Sequence, residues 1–374
     1  MTATPPVPLA VPAAHTDRAA TPRFLDTLSE LLTQAPQYEG FIVDQFGVLH
    51  DGRHAYPGAA QALATLRAQG KRVLVLSNSG KRAADNQRRL AAFGFGADQI
   101  DGVLSSGELA HQQLAAAAVW PFAGARRLWV AEPEADAPLL AGLPHTLVAQ
   151  PEDADLLLLA SLREDLDLPA LQARLTPAAQ RGVPLVCANP DLQRLTARGL
   201  QPSCGAVAQA YAAALQATGG SADEAERRVL WLGKPHAPIY AACIAQLHAW
   251  GATRLLAVGD SLAHDVAGAA AAGLDSCLIA AGLPATAFGL PAHAADHPVD
   301  KAVDACRIHG GDKTVHSPED KPLDKPASAP GLHPHWAALG ADPARLHTTL
   351  RQLLAEPEAA HAPSPTWVLP RLAW

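Results

Sequence analysis

The chain has 374 residues, long enough for about two domains with a full core in each. Its 29 Lys and Arg against 36 Asp and Glu give a net charge of −7, and with no Lys/Arg runs this excludes a binder of nucleic-acid phosphate backbones. Five widely spaced cysteines, Cys187, Cys204, Cys243, Cys277 and Cys306, without a C-x-x-C, indicate neither a disulfide framework nor a thiolate zinc site and fit a reducing cytosol.

Residues 1–20 have no basic n-region, and prolines interrupt any apolar helix there, so they read as a disordered leader and not a secretory signal. No run of about 18 apolar residues occurs anywhere, so no membrane partner is expected and the protein should be soluble and cytoplasmic. Order is expected from Thr21, where Phe24, Leu25, Leu28, Leu31 and Leu32 are spaced for one helical face. Gly40 to Asp44 is a short β-branched and aromatic run ending in a carboxylate, followed by Gly47, Gly52, Pro57 and Gly58 as turn residues. A helix over 58–69, a strand Arg72 to Ser77 and a helix over 82–93 come next.

The alternation returns after residue 225, with strands at 229–232, 254–258 and 277–279 and helices at 237–250 and 264–272. Such alternation predicts a doubly wound parallel sheet of the Rossmann-like α/β type, whose ligands bind beyond the C-terminal strand ends. Between the halves lie strand signals at 128–130, 155–159 and 184–187 and helices near 169–180 and 205–217, read as a second α/β unit inserted into the first. The expected division is a core over 21–107 and 226–283, an inserted unit over 108–225, a low-complexity insert over 284–330, and a C-terminal core part over 331–374. That last part holds a helix over 342–354 and a final edge strand at Trp367 to Leu369.

Four polar clusters follow four predicted strands: Asp44-Gln-Phe-Gly-Val48, Ser77-Asn-Ser79, Gly233-Lys234-Pro235, and Gly259-Asp260 through His264-Asp265. Together they supply the parts of a metal-dependent phosphoryl site. Asp44 is placed to attack phosphorus and Lys234 to neutralise the charge gathered there. Ser77 suits a phosphoryl oxygen, and Asp260 with Asp265 suits Mg²⁺, a hard cation that favours carboxylates, water and phosphate oxygens. The competing oxidoreductase reading lacks a G-x-G-x-x-G after a strand.

In order and spacing the four clusters resemble the four motifs of the haloacid dehalogenase (HAD) superfamily. The insert, with its Ala188-Asn189-Pro190-Asp191 stretch, resembles the α/β cap of class IIA, the NagD-like and p-nitrophenyl phosphatase-like branch. The resemblance implies Asp44 as nucleophile with Ser77 and Lys234 as catalytic phosphate binders. It further implies a substrate side of Gly47, Asn78, Ser79, Asn189 and Asp191, and a metal side of Asp44, Asp260, Asp265 and the backbone carbonyl of Phe46. The expected function is that of a Mg²⁺-dependent phosphatase acting on a small phosphorylated metabolite. Class IIA caps often mediate dimers, so a homo-oligomer is among the expected states. Asn-Pro-Asp is also good turn chemistry in its own right. His293 and His297, four apart in the Pro-rich insert, read as solvated.

One position departs from the pattern. Phe46 stands where HAD phosphatases carry a second Asp, the acid to the leaving group and later the base for water. Losing a positioned acid or base forfeits about 10²- to 10⁴-fold in rate. Hydrolysis is therefore expected to be slow unless His50 or His264 supplies the proton. The alternative reading is a pseudoenzyme that binds a phosphorylated metabolite or a protein partner.

Overall fold

The computed structural model describes residues 22–196, 199–219, 221–280, 363–369 and 371–373. The leader, the 284–330 insert with His293 and His297, Cys306 and the helix expected over 342–354 lie outside the described residues. Fourteen strands are described: β1 (Arg23–Phe24), β2 (Gly40–Asp44), β3 (Arg72–Ser77), β4 (Gly102–Ser105), β5 (Arg127–Val130), β6 (Thr146–Leu147), β7 (Leu156–Leu159), β8 (Leu185–Cys187), β9 (Gln193–Thr196), β10 (Gly199–Pro202), β11 (Val229–Trp231), β12 (Leu255–Gly259), β13 (Asp275–Ile279) and β14 (Trp367–Leu369). The helices are α1 (Leu28–Gln34), α2 (Ala59–Ala68), α3 (Ala83–Ala92), α4 (Ser106–Ala116), α5 (Ala137–Leu140), α6 (Leu168–Gln180), α7 (Cys204–Ala217), α8 (Ala222–Arg228), α9 (Ala237–Ala249) and α10 (Ala267–Ala271).

Seven strands form one sheet in the order β1-β14-β13-β12-β2-β3-β4, every pair parallel. Parallel strands are covered on both faces, which is why β2 and β3 read as nearly unbroken apolar runs. Phe41, Val43, Val73 and Val75 pack on one face with Leu28 and Leu31 of α1, Leu63 and Leu66 of α2, and Leu90 of α3. Ile42, Leu74 and Leu76 pack on the other face with Leu109 of α4 and with Ile239, Cys243 and Leu247 of α9. At about 1.5–3 kcal/mol for each fully buried large aliphatic, these two layers hold the strand ends in place.

A second parallel sheet, β11-β8-β7-β5-β6, comes mostly from the middle of the chain. Leu156 and Leu158 of β7 join the same apolar cluster as Ile42 and Leu74, so one face of this sheet shares a core with the first. Leu157 and Leu159 point the other way, against Leu171 and Leu175 of α6 and Val207 and Tyr211 of α7. An antiparallel hairpin, β9–β10, follows Asp191.

Two strands are placed differently from the sequence reading. Val229–Trp231, expected to open the second half of the first sheet, pairs with β8 in the second sheet instead. A short apolar run specifies burial and not a partner, and Leu185–Cys187 offers the free edge. Trp367–Leu369, expected at an edge, lies between β13 and β1. There Trp367 donates from Nε1 to the Tyr38 hydroxyl at 3.1 Å, which itself donates to Asp275 at 2.7 Å.

Candidate active site

Strand order fixes the place. β2 is followed by β3 on one side and has β12 on the other, so the chain reverses direction across the sheet at β2, and the crevice beyond its C-terminal end is open to a ligand. Asp44, the last residue of β2, and Gly259-Asp260, at the end of its neighbour β12, flank that crevice. Asp265 arrives from a π-helical turn, Leu262–Val266, in which Val266 donates its N–H to Ser261 five residues back. The buried Tyr240 hydroxyl on α9 donates to the carbonyls of His264 (3.2 Å) and Asp265 (3.1 Å), holding the turn against the helix.

Oxygens of Asp44, Asp260 and Asp265 all lie within 4.8 Å of one another. Lys234 places Nζ 2.7 Å from Asp44 Oδ1 and 2.8 Å from Asp265 Oδ1, itself only 4% exposed. Burial, reinforced by Asp265, pushes the Asp44 carboxyl up to about 7 even though Lys234 pulls it down. Loss of hydration, then the charges of Asp44 and Asp265, hold Asp260 well above the usual carboxylate range. Burial opposes the Lys234 charge, but Asp265 and Asp44 outweigh it and raise the ammonium's pKa. One ammonium among three carboxylates leaves an excess of negative charge, and the all-oxygen donor set fits a hard divalent cation held by Asp44, Asp260 and Asp265.

Gly47 shows why the loop after Asp44 needs a glycine. Its φ is +82°, and a Cβ there would lie 1.8 Å from Asp260 Oδ2. Phe46 is 43% exposed, and its ring meets His50 edge to face with centroids 6.0 Å apart. His50 is fully buried, stacks on Phe93 at 4.5 Å and accepts the Gly52 N–H at Nδ1, a packed structural position at odds with proton exchange in a site. His264 is half-buried within the π-turn and gives its backbone N–H to Ser261 Oγ.

Ser77 ends β3 and is buried, and its Oγ accepts the Ser79 N–H at 3.2 Å. Asn78 is bound three ways: its Oδ1 accepts the Lys234 N–H at 2.7 Å, and its Nδ2 donates to the Lys234 carbonyl at 3.3 Å and to Asp191 Oδ1 at 2.8 Å. Asp191 in turn donates its N–H to Asn189 Oδ1 at 3.3 Å. Asn78, Asn189 and Asp191 are therefore brought together, although Asn78 and Asp191 engage each other. Ser79 Oγ accepts the Lys81 N–H, and the Ser79 carbonyl accepts the Gly107 N–H. A Cβ on Gly80 would meet the Ala160 carbonyl oxygen at 2.1 Å, so the two sheets' loops touch backbone to backbone here. Lys234 follows a strand of the second sheet, yet its side chain completes the first sheet's cluster.

The sequence reading passed over Gln45, Asn86 and Tyr240. Gln45 and Asn86 are polar residues buried at 5% and 4%, and no spacing rule singles out a polar side chain inside an otherwise ordinary loop or helix.

Two family models match the chain, one described as haloacid dehalogenase-like hydrolase over residues 41–139 and one as HAD-hydrolase-like over residues 231–305. The chain is 32% identical over 250 residues to the D-glycerol 3-phosphate phosphatase of Mycobacterium tuberculosis, covering 67% of this chain and 65% of that protein. It is 28% identical over 247 residues to the sugar-phosphatase AraL of Bacillus subtilis, covering 65% of this chain and 83% of the other. A glycerol phosphate phosphatase of Mycobacterium tuberculosis solved in complex with magnesium superposes with a TM-score of 0.52 at 27% identity, over 70% of this chain and 73% of that one. Somewhat under two thirds of the first relative's length is thus spanned.

Proposed function

The chain belongs to the haloacid dehalogenase-like hydrolases, and from that premise we propose that it is a Mg²⁺-dependent phosphatase of small phosphate esters that works through an aspartyl-phosphate on Asp44. The observation that carries this reading is the position of Lys234, bonded at once to Asp44 and Asp265 inside a carboxylate triad at the end of β2. Asp44, Asp260 and Asp265 would hold Mg²⁺, which supplies charge neutralisation for the phosphoryl group and for the attacking carboxylate. The magnesium complex of a relative and the names of both curated relatives support this cofactor and substrate class.

Asp44 attacks phosphorus with one carboxylate oxygen, the P–O ester bond breaks, and its electron pair leaves with the alcohol oxygen. Lys234 offsets the charge of Asp44 during attack, and the Ser77 hydroxyl and loop N–H groups take phosphoryl oxygens. Water then attacks phosphorus, returning the Asp44 carboxylate and releasing phosphate. The five-stranded unit serves as the cap that encloses the leaving group, with Asn189 and Asp191 at its contact with the Ser77 to Ser79 loop.

Phe46 cannot give the leaving oxygen a proton, so esters of acidic phenols should turn over far better than esters of alcohols. The same ring favours a second reading, a phosphate-binding protein without useful turnover. A panel of phosphate esters with Mg²⁺, from nitrophenyl phosphate to sugar phosphates, separates the two. Under the enzyme reading the activated ester is hydrolysed and Asp44→Asn lowers its turnover by at least about 10³-fold with the fold retained. Equal activity in that variant would remove Asp44 as nucleophile.

A further inference from the structure

Resting on that assignment of Ser77 to the phosphoryl group, we infer that Gln45 and Asn86 are positioning residues that set which way the Ser77 hydroxyl donates. A serine hydroxyl can face a neighbour as donor or as acceptor, and only the donor form helps a phosphoryl oxygen. What decides between them is a buried chain of amides running from α3 to the end of β3.

The chain starts at two carbonyls. Asn86 Nδ2 donates to the carbonyls of Arg82 at 3.0 Å and Lys81 at 3.4 Å, and carbonyls are acceptors only, so this side-chain nitrogen is fixed toward them. Asn86 Oδ1 must then face Gln45, where Nε2 stands 3.4 Å away. Turning the Gln45 amide over would set its oxygen against Asn86 Oδ1, acceptor to acceptor. Nε2 therefore stays on this side, and it donates to Ser77 Oγ at 2.6 Å. The Ser79 N–H donates to the same oxygen at 3.2 Å.

With Ser77 Oγ accepting from both sides, its own proton has neither neighbour as an outlet and is left for a group arriving in the crevice. The relay thus keeps the hydroxyl in its donor form before substrate binds, and no rotation has to be undone on arrival. Gln45 adjoins the nucleophile in sequence, so the same loop aims the carboxylate and the hydroxyl.

Calorimetric titration of the full chain with inorganic phosphate in the presence of Mg²⁺ tests the relay. Gln45→Glu offers carboxylate oxygens that accept the Ser77 proton, and phosphate affinity should fall about tenfold, the scale of one hydrogen bond to a charged group. An added negative charge also repels phosphate by itself, so the same change is made on Ser77→Ala. The relay requires that Gln45→Glu cost clearly less in that background, where the repulsion remains but no hydroxyl is left to be misdirected. Gln45→Met, of similar size and uncharged, should cost a smaller factor of about three. Equal losses with and without Ser77, or wild-type affinity in both Gln45 variants with melting temperatures unchanged, would overturn the relay. Phosphate affinity unaffected by Ser77→Ala would instead overturn the assignment of Ser77, and the relay with it.

Discussion

The seven-stranded sheet ends β2, β3 and β12 in Asp44, Ser77 and Gly259-Asp260, whereas the five-stranded sheet ends β5, β7 and β8 in Val130, Leu159 and Cys187. Both sheets are parallel and both are covered by helices, so their C-terminal edges are equally suited by geometry to a ligand. They differ in where charge sits. On the first edge, Asp44, Asp260 and Asp265 lie at or just beyond the strand ends, Asp44 and Asp265 buried and Asp260 half-buried. On the second, the polar groups lie in loops beyond the strands and engage the first edge: the Ala160 carbonyl oxygen lies against Gly80, and Asp191 accepts from Asn78. The first sheet thus concentrates the carboxylates, and the second lends Lys234 from the loop after β11 and otherwise holds the loop that faces them.

That division makes Phe46 the sharpest place to press. It stands on the carboxylate-bearing edge yet brings no charge or proton, and it is exposed to solvent over 43% of its surface. Phe46→Asp has room for a carboxylate without disturbing a packed core. For alcohol esters, turnover should rise by up to about 10²- to 10⁴-fold, and for nitrophenyl phosphate much less, because only the poor leaving group needs the proton. Steady-state kinetics on the two ester classes, with a melting curve for the variant, checks this. A stable Phe46→Asp protein with the wild-type ratio between the classes would mean that another group already delivers the proton. His264 would then come first, since the packing of His50 against Phe93 and its bond from Gly52 occupy that ring.

The contrast between the edges also predicts a pH dependence. Asp44 sits near 7 and Asp260 well above its ordinary range, chiefly through loss of hydration. A carboxyl raised in the folded state favours folding while protonated in both states, and that contribution fades as pH climbs from the ordinary carboxylate range toward the folded value of about 7. The metal-free protein should therefore lose stability over that interval. A cation needs the ionised carboxylates, so Mg²⁺ affinity should weaken on lowering the pH from about 8 to about 6, by about tenfold per unit for each proton displaced. Titration calorimetry in buffers of different ionisation enthalpy would count those protons. An affinity flat across this range would show that the carboxylates are already ionised without the ion.

How far the sequence announced this site depends on the kind of signal. Asp44, Ser77, Lys234 and Asp260 each end or closely follow a short apolar run, with Asp265 five residues beyond Asp260, and strand ends are legible because burial on both faces leaves a nearly unbroken apolar stretch. Partnership is not legible in the same way. Val229–Trp231 carries no mark of which sheet it joins, and Trp367–Leu369 reaches an interior position only through pairing with β13 and β1, far away in sequence. The β4–α4 turn was equally silent, because Ser105 ends the strand and caps the helix with no Gly or Pro between. Gln45 and Asn86 were invisible for a third reason: their significance is a direction of hydrogen bonding, set by carbonyls at the start of α3 and carried across to Ser77.

The smallest expected effect concerns the seam itself. Asp191 reaches Asn78 from the second sheet, and Asn78 also grips the backbone of Lys234 through two bonds. Asp191→Ala removes one bond of three from Asn78, and at about 0.5–1.5 kcal/mol for a typical bond the cost is modest. Lys234 should stay in place, since its own bonds to Asn78, Asp44 and Asp265 remain. The carboxylate edge is then intact while the second sheet's hold on the Ser77 to Ser79 loop is looser. The expected result is a KM raised about three- to tenfold with kcat nearly unchanged, because weaker closure costs binding before it costs chemistry. Asn78→Ala, which also frees Lys234, should lower kcat as well. If Asp191→Ala lowers kcat as much as Asn78→Ala does, the two edges are not separable in the way their strand ends suggest, and Asp191 belongs to the reactive set.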